Sequence, residues 1–397
     1  MNQIGANTYL GVVALLCLFF GAVLIKKYTD NKELRSQMSD PSNKAIQKYL
    51  LNESQLEELG TSKKPILWIH IPVEYNARNW QNFGSRSSYD LNQPYLYLTV
   101  RSIIQQCDSS FKICLIDDSS FEKLIPGMNI TLNRVAEPVL GYIRQMLLVN
   151  LVYKYGGMVV PISFLCFQDL IALYNKWTYE DCMFVCENYN INVSSSEYKF
   201  SPDVRFIGAE KNATVMRDLM DFMQRQISRD YTAQIEFLGE FNRWISSRSN
   251  KIRIISGTEV GTKTLDNEPV LVDTLLGSNM DALDFYGKTN GIWIPSDEIL
   301  KRTHYNWFAR MNVEQVVTSN TLLGQYILLA NSPDKKVVTE ALTANNNNNT
   351  KDDASNLDEE NETKKPNWIS FWKTPSGVNV WGLKPSFLGN TIPRTNN

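Results

Sequence analysis

The sequence predicts an α/β fold preceded by one N-terminal transmembrane helix. Three observations carry this expectation. Short, continuous apolar bursts alternate with segments of helical spacing between about residues 64 and 335. An uninterrupted apolar run, YLGVVALLCLFFGAVLI, occupies Tyr9–Ile25 and is about long enough to span a bilayer. A stretch with almost no apolar residues, Ala344–Thr363, then separates this body from an aromatic-rich tail.

The elements follow in order. No basic segment precedes Tyr9–Ile25 and no small-residue cleavage site follows it, so an uncleaved anchor over residues 1–27 is expected rather than a removed signal peptide. Residues 28–63 are polar, with an amphipathic patch at Ala45–Leu59, and read as a stalk with a short helix. Ile66–Ile71 (ILWIHI) lies between Pro65 and Pro72 and has the continuous apolarity of a strand buried on both faces. Leu96–Gln106 has helical spacing, and Phe111–Ile116 (FKICLI) reads as a second buried strand. Strand, helix and strand in that order imply a parallel crossover. A helix over Arg144–Tyr155 then runs into Gly156-Gly157, expected to form a left-handed cap, and into a strand at Met158–Ile162. There Pro161 must mark the strand's end or an edge. Strands at Cys182–Glu187, Val204–Gly208 and Ile252–Ile255, with helices at Ala213–Arg229 and Ala233–Ser246, continue the alternation. Residues 336–366 form the Asn-rich and acidic linker. Residues 367–397 carry Trp368, Phe371, Trp372, Trp381 and Phe387, a tail that either docks on the body or holds a partner.

Composition narrows the function. The 397 residues carry a formal charge of −2, which gives no basic face for nucleic acid. The six cysteines form no CxxC pair or Cys/His cluster, and Cys182 and Cys186 read as small apolar residues rather than as a disulfide or metal site. Lys26 and Lys27 after the anchor favour a cytoplasmic body, whereas sequons at Asn52, Asn129, Asn192, Asn212, Asn348 and Asn361 suit a lumenal one, so the side stays open.

In parallel α/β sheets, ligands meet the carboxyl ends of the strands. Four such ends stand out. The first holds His70 and the following Asn76–Ser88, with Arg78 and Arg86; the second is Asp117-Asp118-Ser119-Ser120. The third is Pro161-Ile162-Ser163-Phe164, and the fourth is Glu187-Asn188-Tyr189. Asp117 and Asp118 suit a ribose hydroxyl or Mg²⁺, or equally an Asx turn that opens the next helix. Arg144 suits a bidentate phosphate contact, or a salt bridge to Glu187 or Asp203. His70 and His304, the only histidines, are each either functional or hydrogen-bonded structural residues.

The order strand-His70, strand-Asp117-Asp118, Arg144-helix-Tyr155-Gly156-Gly157 and late His304-x-x-Trp307 resembles sugar transferases of the capsular-polysaccharide, DXD type. The segments Asn82–Val100, Leu115–Phe121, Tyr155–Cys166 and Phe371–Gly389 are also similar to transferase-like proteins of large DNA viruses. The resemblance implies a GT-A-like mixed sheet flanked by helices, a nucleotide-sugar donor, and a glycan or glycoprotein acceptor. It also implies a single-pass protein of a host endomembrane or virion membrane. It places His70, Arg78, Arg86, Asp117, Asp118, Arg144 and Ser163 at the donor site, with His304 and Asp118 as catalytic candidates. The pattern departs from the family at its centre. Pro161 and Ser163 stand where the two DXD carboxylates belong, and Gly141 where an Asp precedes the Arg. The charge on the leaving diphosphate is thus left either to Arg78, Arg86, Arg144 and His304 without a metal or to a divalent Mn or Mg ion on Asp117 and Asp118. The rival reading is an inactive transferase fold acting as a membrane-associated interaction or virion module.

Overall fold

Apolar residues on both faces of the first strand set the architecture. In the computed structural model, Ile66 and Trp68 join an apolar cluster on one side of β1 (Ile66–His70), while Leu67 and Ile69 are fully buried on the other. The structure describes residues 46, 48–52, 56, 59, 63–72, 93–189, 199–229, 234–277, 283 and 289–331, with backbone alone at 234–239 and 301. The expected anchor at Tyr9–Ile25, Arg78, Arg86, the linker and the aromatic tail lie outside the described residues. Among the described residues, no helix is long and apolar enough to cross a membrane.

The chain divides into Met1–Leu50 and Leu51–Asn397. In the second unit β1 is followed by α1 (Pro94–Cys107), β2 (Lys112–Ile116), α2 (Ser120–Leu124), α3 (Val139–Tyr155), β3 (Gly157–Val159), β4 (Phe164–Cys166) and α4 (Ile171–Trp177). Then come β5 (Met183–Tyr189), β6 (Phe200–Ala209), α5 (Thr214–Ile227), α6 (Gln234–Ser246), β7 (Ile252–Ile255), α7 (Gly257–Val260) and α8 (Val272–Leu275). β8 (Gly291–Trp293), α9 (Ser296–Lys301), α10 (Asn306–Arg310), α11 (Val313–Thr318) and α12 (Leu322–Ala330) complete it.

Six strands form a mixed sheet in the order β2-β1-β3-β6-β5-β7, and β4 pairs with β8 in a separate two-stranded sheet. β1 runs parallel to β2 and β3, β5 runs parallel to β7, and β6 is antiparallel to both of its neighbours. The α/β expectation and the parallel β1–α1–β2 crossover are therefore present, with one reversed strand inside the sheet. α3 and α5 pack with Phe241, Trp244 and Ile245 of α6 on one apolar cluster. α1 contributes Tyr95 and Leu98 to a second cluster, shared with β4, β8 and α12. The helices thus cover both faces, as buried parallel strands require. Leu51, Leu56 and Leu59 pack into the first cluster, and Leu51 N–H donates to Leu115 C=O at 3.0 Å. The body therefore takes in part of the expected stalk, because its leucines have apolar surface to bury.

Gly156 and Gly157 are used differently from a left-handed helical cap. Gly156 has φ 76° but an extended ψ of −173°, and Gly157 continues at φ 94°. Only glycine adopts this pair of turns cheaply, and it brings β3 directly beside β1. The Trp68 indole N–H donates to Gly156 C=O at 3.1 Å, which fixes the corner. β3 ends at Val159, earlier than the expected Ile162, and Pro161 opens a turn that Phe164 N–H closes on Pro161 C=O at 2.9 Å. Cys182 and Cys186 are free, buried thiols, as their reading as small apolar residues expects.

Candidate functional site

The strand order reverses at β1. The chain passes from β1 to β2 on one side, then returns to place β3 on the other. At such a switch point the connecting helices leave toward opposite faces, and a crevice opens beyond the strand ends. A cleft of about 520 Å³ lies there, lined by His70 from the end of β1, Pro94 and Tyr97 from the start of α1, and Val159–Ser163 after β3. Because β6 runs antiparallel and pairs Val159 with Ile207, its residue Arg205 reaches the same edge of the sheet. Trp293 and Asp297, from β8 and the first turn of α9, complete the wall. β5 is parallel to β3 through β6, so all four anticipated strand ends fall on one edge of the sheet.

His70, Asp118 and Arg144 come together as one group. The Asp118 carboxylate accepts from His70 Nε2 at 2.9 Å, from Arg144 Nε at 3.0 Å and from Arg144 Nη2 at 2.6 Å. Arg144 also lies 3.5 Å from Glu137. The Arg144 side chain is only 9% exposed, so the fork with Asp118 accounts for its burial. Burial alone would raise the Asp118 carboxyl, but the His70 and Arg144 hydrogen bonds outweigh it and hold it below the ordinary carboxylate value. Arg144 thus pairs with neither Glu187 nor Asp203. Glu187 holds Lys263 at 2.8 Å, and Asp203 holds Arg205 at 2.6 Å. A carboxylate acceptor fixes the proton on Nε2 of His70, and this histidine lines the cleft.

Asp117 separates from its neighbour. Its Oδ1 accepts from Ser119 Oγ at 2.8 Å, Ser120 N–H at 2.8 Å and Ser120 Oγ at 2.6 Å, the Asx turn that starts α2. These bonds outweigh burial and lower its carboxyl as well. The two carboxylates therefore serve different partners, and Pro161 and Ser163 supply none. Among the described residues, no three His, Cys, Asp or Glu side chains gather as they would around an ion. The donor set does not fit a DXD-type metal. Ser163 is buried in the cleft wall, held by Ile294 N–H donating to its C=O at 3.2 Å.

His304 stands apart. It is exposed, with its ring centroid 4.8 Å from that of Tyr305, and it does not line the cleft. Tyr305, at the N-cap of α10, and Phe308 within it are buried, and His304 before them is left to solvent. Beside it, Arg302 forks onto Asp273 at 2.8 and 3.1 Å, and Tyr305 donates to the same carboxylate at 2.6 Å. The Arg302 and Tyr305 hydrogen bonds hold the Asp273 carboxyl down to about 2. This contribution to stability is full above the ordinary aspartate value and is lost as pH falls through about 2. The gap between wild type and Asp273→Asn in urea midpoint is therefore expected to close as pH drops from about 4 toward about 2. A gap independent of pH in that window would contradict the assignment.

The cleft also holds residues that the sequence did not single out. Arg205 sits in a strand whose apolar half was visible, and Trp293 sits in GIWIP, an apolar burst between Gly and Pro. Arg205 is bound through Nε and Nη2 to Asp203, and its Nη1 donates to Asp297 Oδ2 at 3.1 Å. Its guanidinium lies 5.4 Å from the centre of the Trp293 ring. Burial alone would raise Asp203 and lower Arg205; their mutual attraction reverses both. Comparison with protein-family models, with curated proteins and with solved structures gives no match for this chain.

Proposed function

We propose that the chain is a membrane-anchored, glycosyltransferase-like protein whose cleft takes a nucleotide-sugar donor without DXD carboxylates. The observation that carries this reading is the open cleft at the β1/β3 switch point, with Pro161-Ile162-Ser163 in its wall. Its volume of about 520 Å³ suits a ligand of nucleotide-sugar size. An open crevice favours ligand binding over a module whose cleft has been filled by side chains. The exposed Asn129 and Asn212 of two sequons are also sterically suited to carry glycans on a lumenal body.

In such a transfer, the acceptor hydroxyl oxygen bonds to the anomeric carbon and its proton passes to solvent. The bond from that carbon to the diphosphate breaks, with its electron pair leaving on the diphosphate. His70, fixed as the Nε2–H form by Asp118, and Arg205 are among the polar residues of the described wall, with Gln93, Ser163, Ser296 and Asp297. Arg144 orients Asp118 and through it His70, a positioning role rather than contact with phosphate. That Asp118 and Arg144 satisfy each other supports the second reading, an inactive transferase fold acting as a membrane-associated interaction or virion module.

The test is thermal unfolding of the full chain in detergent with UDP-, GDP- and CMP-sugars, with and without Mn²⁺. Ligand at 100 times Kd adds about 2.7 kcal/mol, a shift of several degrees. A shift with one nucleotide in the absence of metal is expected. A shift that requires Mn²⁺ would return Asp117 and Asp118 to the site, and no shift with any donor would overturn the reading. Binding without release of nucleoside diphosphate would select the inactive form.

A further inference from the structure

We propose that the wall formed by Arg205, Asp297 and Trp293 is a saccharide-hydroxyl subsite rather than a phosphate contact. The inference rests on the donor-binding reading and assigns the sugar end of the cleft. Arg205 is the one Arg or Lys lining the cleft among the described residues, and so the first candidate for the diphosphate. Its electrostatics argue otherwise. It carries two carboxylates, Asp203 at 2.6 Å and Asp297 at 3.1 Å, so the group as a whole has one more negative charge than positive. A diphosphate approaching it would meet net repulsion.

Neutral hydroxyls meet no such barrier, and the wall is built to bind them. Asp203 is 14% exposed and takes three hydrogen bonds from the Arg205 guanidinium and one from the Arg205 backbone N–H, with a fifth from Asn188 Nδ2 at 3.1 Å. The guanidinium is thereby held rigid on Trp293 and presents Nη1 beside Asp297, whose side chain is 57% exposed. A fixed N–H donor next to a carboxylate acceptor matches two adjacent hydroxyls of a pyranose, each of which both donates and accepts. Four residues of this wall, Arg205, Trp293, Ser296 and Asp297, also line a smaller cavity of about 50 Å³ with Asn188 and Tyr189. The wall is thus accessible from two sides, and a sugar on one side leaves space behind it.

Saturation-transfer NMR on the full chain in detergent tests the assignment. The probes are the methyl glycosides of glucose, galactose and mannose, UDP and GDP, and the corresponding nucleotide sugars. Asp297→Ala, which spares the Asp203–Arg205 fork, is the principal variant, and Arg205→Met is the second. Loss of a hydrogen bond to a charged group lowers affinity by about tenfold or more. That loss is expected for the sugar in both variants, with nucleoside diphosphate affinity unchanged. Equal loss of UDP or GDP binding in Arg205→Met would make Arg205 a phosphate contact and overturn the proposal. Sugar binding that is unaffected in Asp297→Ala would also overturn it. Glycoside binding without nucleotide binding would leave the subsite standing and remove the donor reading. Nucleotide binding with no contribution from the sugar would do the reverse, and binding of neither would remove both.

Discussion

Gly157→Ala is expected to prevent stable folding. A Cβ at this position would lie 2.0 Å from Ile66 C=O oxygen and within 2.9 Å of two further backbone atoms of Ile66. Backbone atoms of a central strand cannot rotate away as the end of a side chain can. Gly157 also has φ 94°, where an L side chain is strained by about 1–3 kcal/mol even in open space. The register Leu67↔Met158 and Trp68↔Val159 depends on this close approach, so relief of the clash must part β1 from β3 where the cleft opens. The combined cost is expected to exceed about 4 kcal/mol, a large share of the whole stability of a domain. Gly127→Ala provides the control. It has φ 82° but nothing within 4 Å of the new methyl, so it should cost only about 1 kcal/mol. Equal urea midpoints for the two variants would refute the steric account.

The sequence revealed those parts of the fold that follow from local apolarity. ILWIHI and FKICLI are bursts that bury both faces, Ile252–Ile255 is a shorter burst with Ile254 exposed, and the bounds of all three fall within a residue of the observed strands. β6 was only half legible, because its first half, Phe200-Ser201-Pro202-Asp203, is polar and lies at the sheet's end. β4 and β8 have three residues each, too short for any period to be read. The group at the mouth of the cleft illustrates a second limit. His70, Asp118 and Arg144 were each visible as strand-end or helix residues, but Arg144 had several acidic partners to choose from. The order β2-β1-β3 decides it, because it brings the end of β2 beside β1 and α3. Arg205 and Asp297 are 92 residues apart and meet only through the reversed strand β6 and the small sheet, neither of which local pattern implies.

Arg144→Met is expected to cost about 3 kcal/mol, as does removal of one partner from other buried ion pairs. The methionine fills much of the arginine's space, so the loss is electrostatic: Asp118, 20% exposed, keeps its charge and loses two hydrogen bonds. Asp118→Asn should cost a similar amount by leaving the Arg144 guanidinium, 9% exposed, facing an amide. The double variant should then cost clearly less than the sum, because the two share one interaction. Additive losses would show that the pair contributes no coupling. The pH dependence has a definite sign. The Asp118 carboxyl is held below its ordinary value, so its contribution is full at neutral pH and is lost as pH falls through the lowered value. Arg144→Met should reduce that acid sensitivity and leave the part due to His70, whose hydrogen bond lowers the carboxyl more. A functional consequence follows at temperatures where both proteins remain folded. His70 is held to the cleft wall through Asp118, so on the proposed donor-binding reading Arg144→Met should weaken binding although Arg144 does not line the cleft. Arg144→Lys sharpens the point, because lysine keeps the charge and loses the two-pronged fork. If Lys restores stability but not binding, the fork's role is to orient His70; if it restores both, the charge alone suffices.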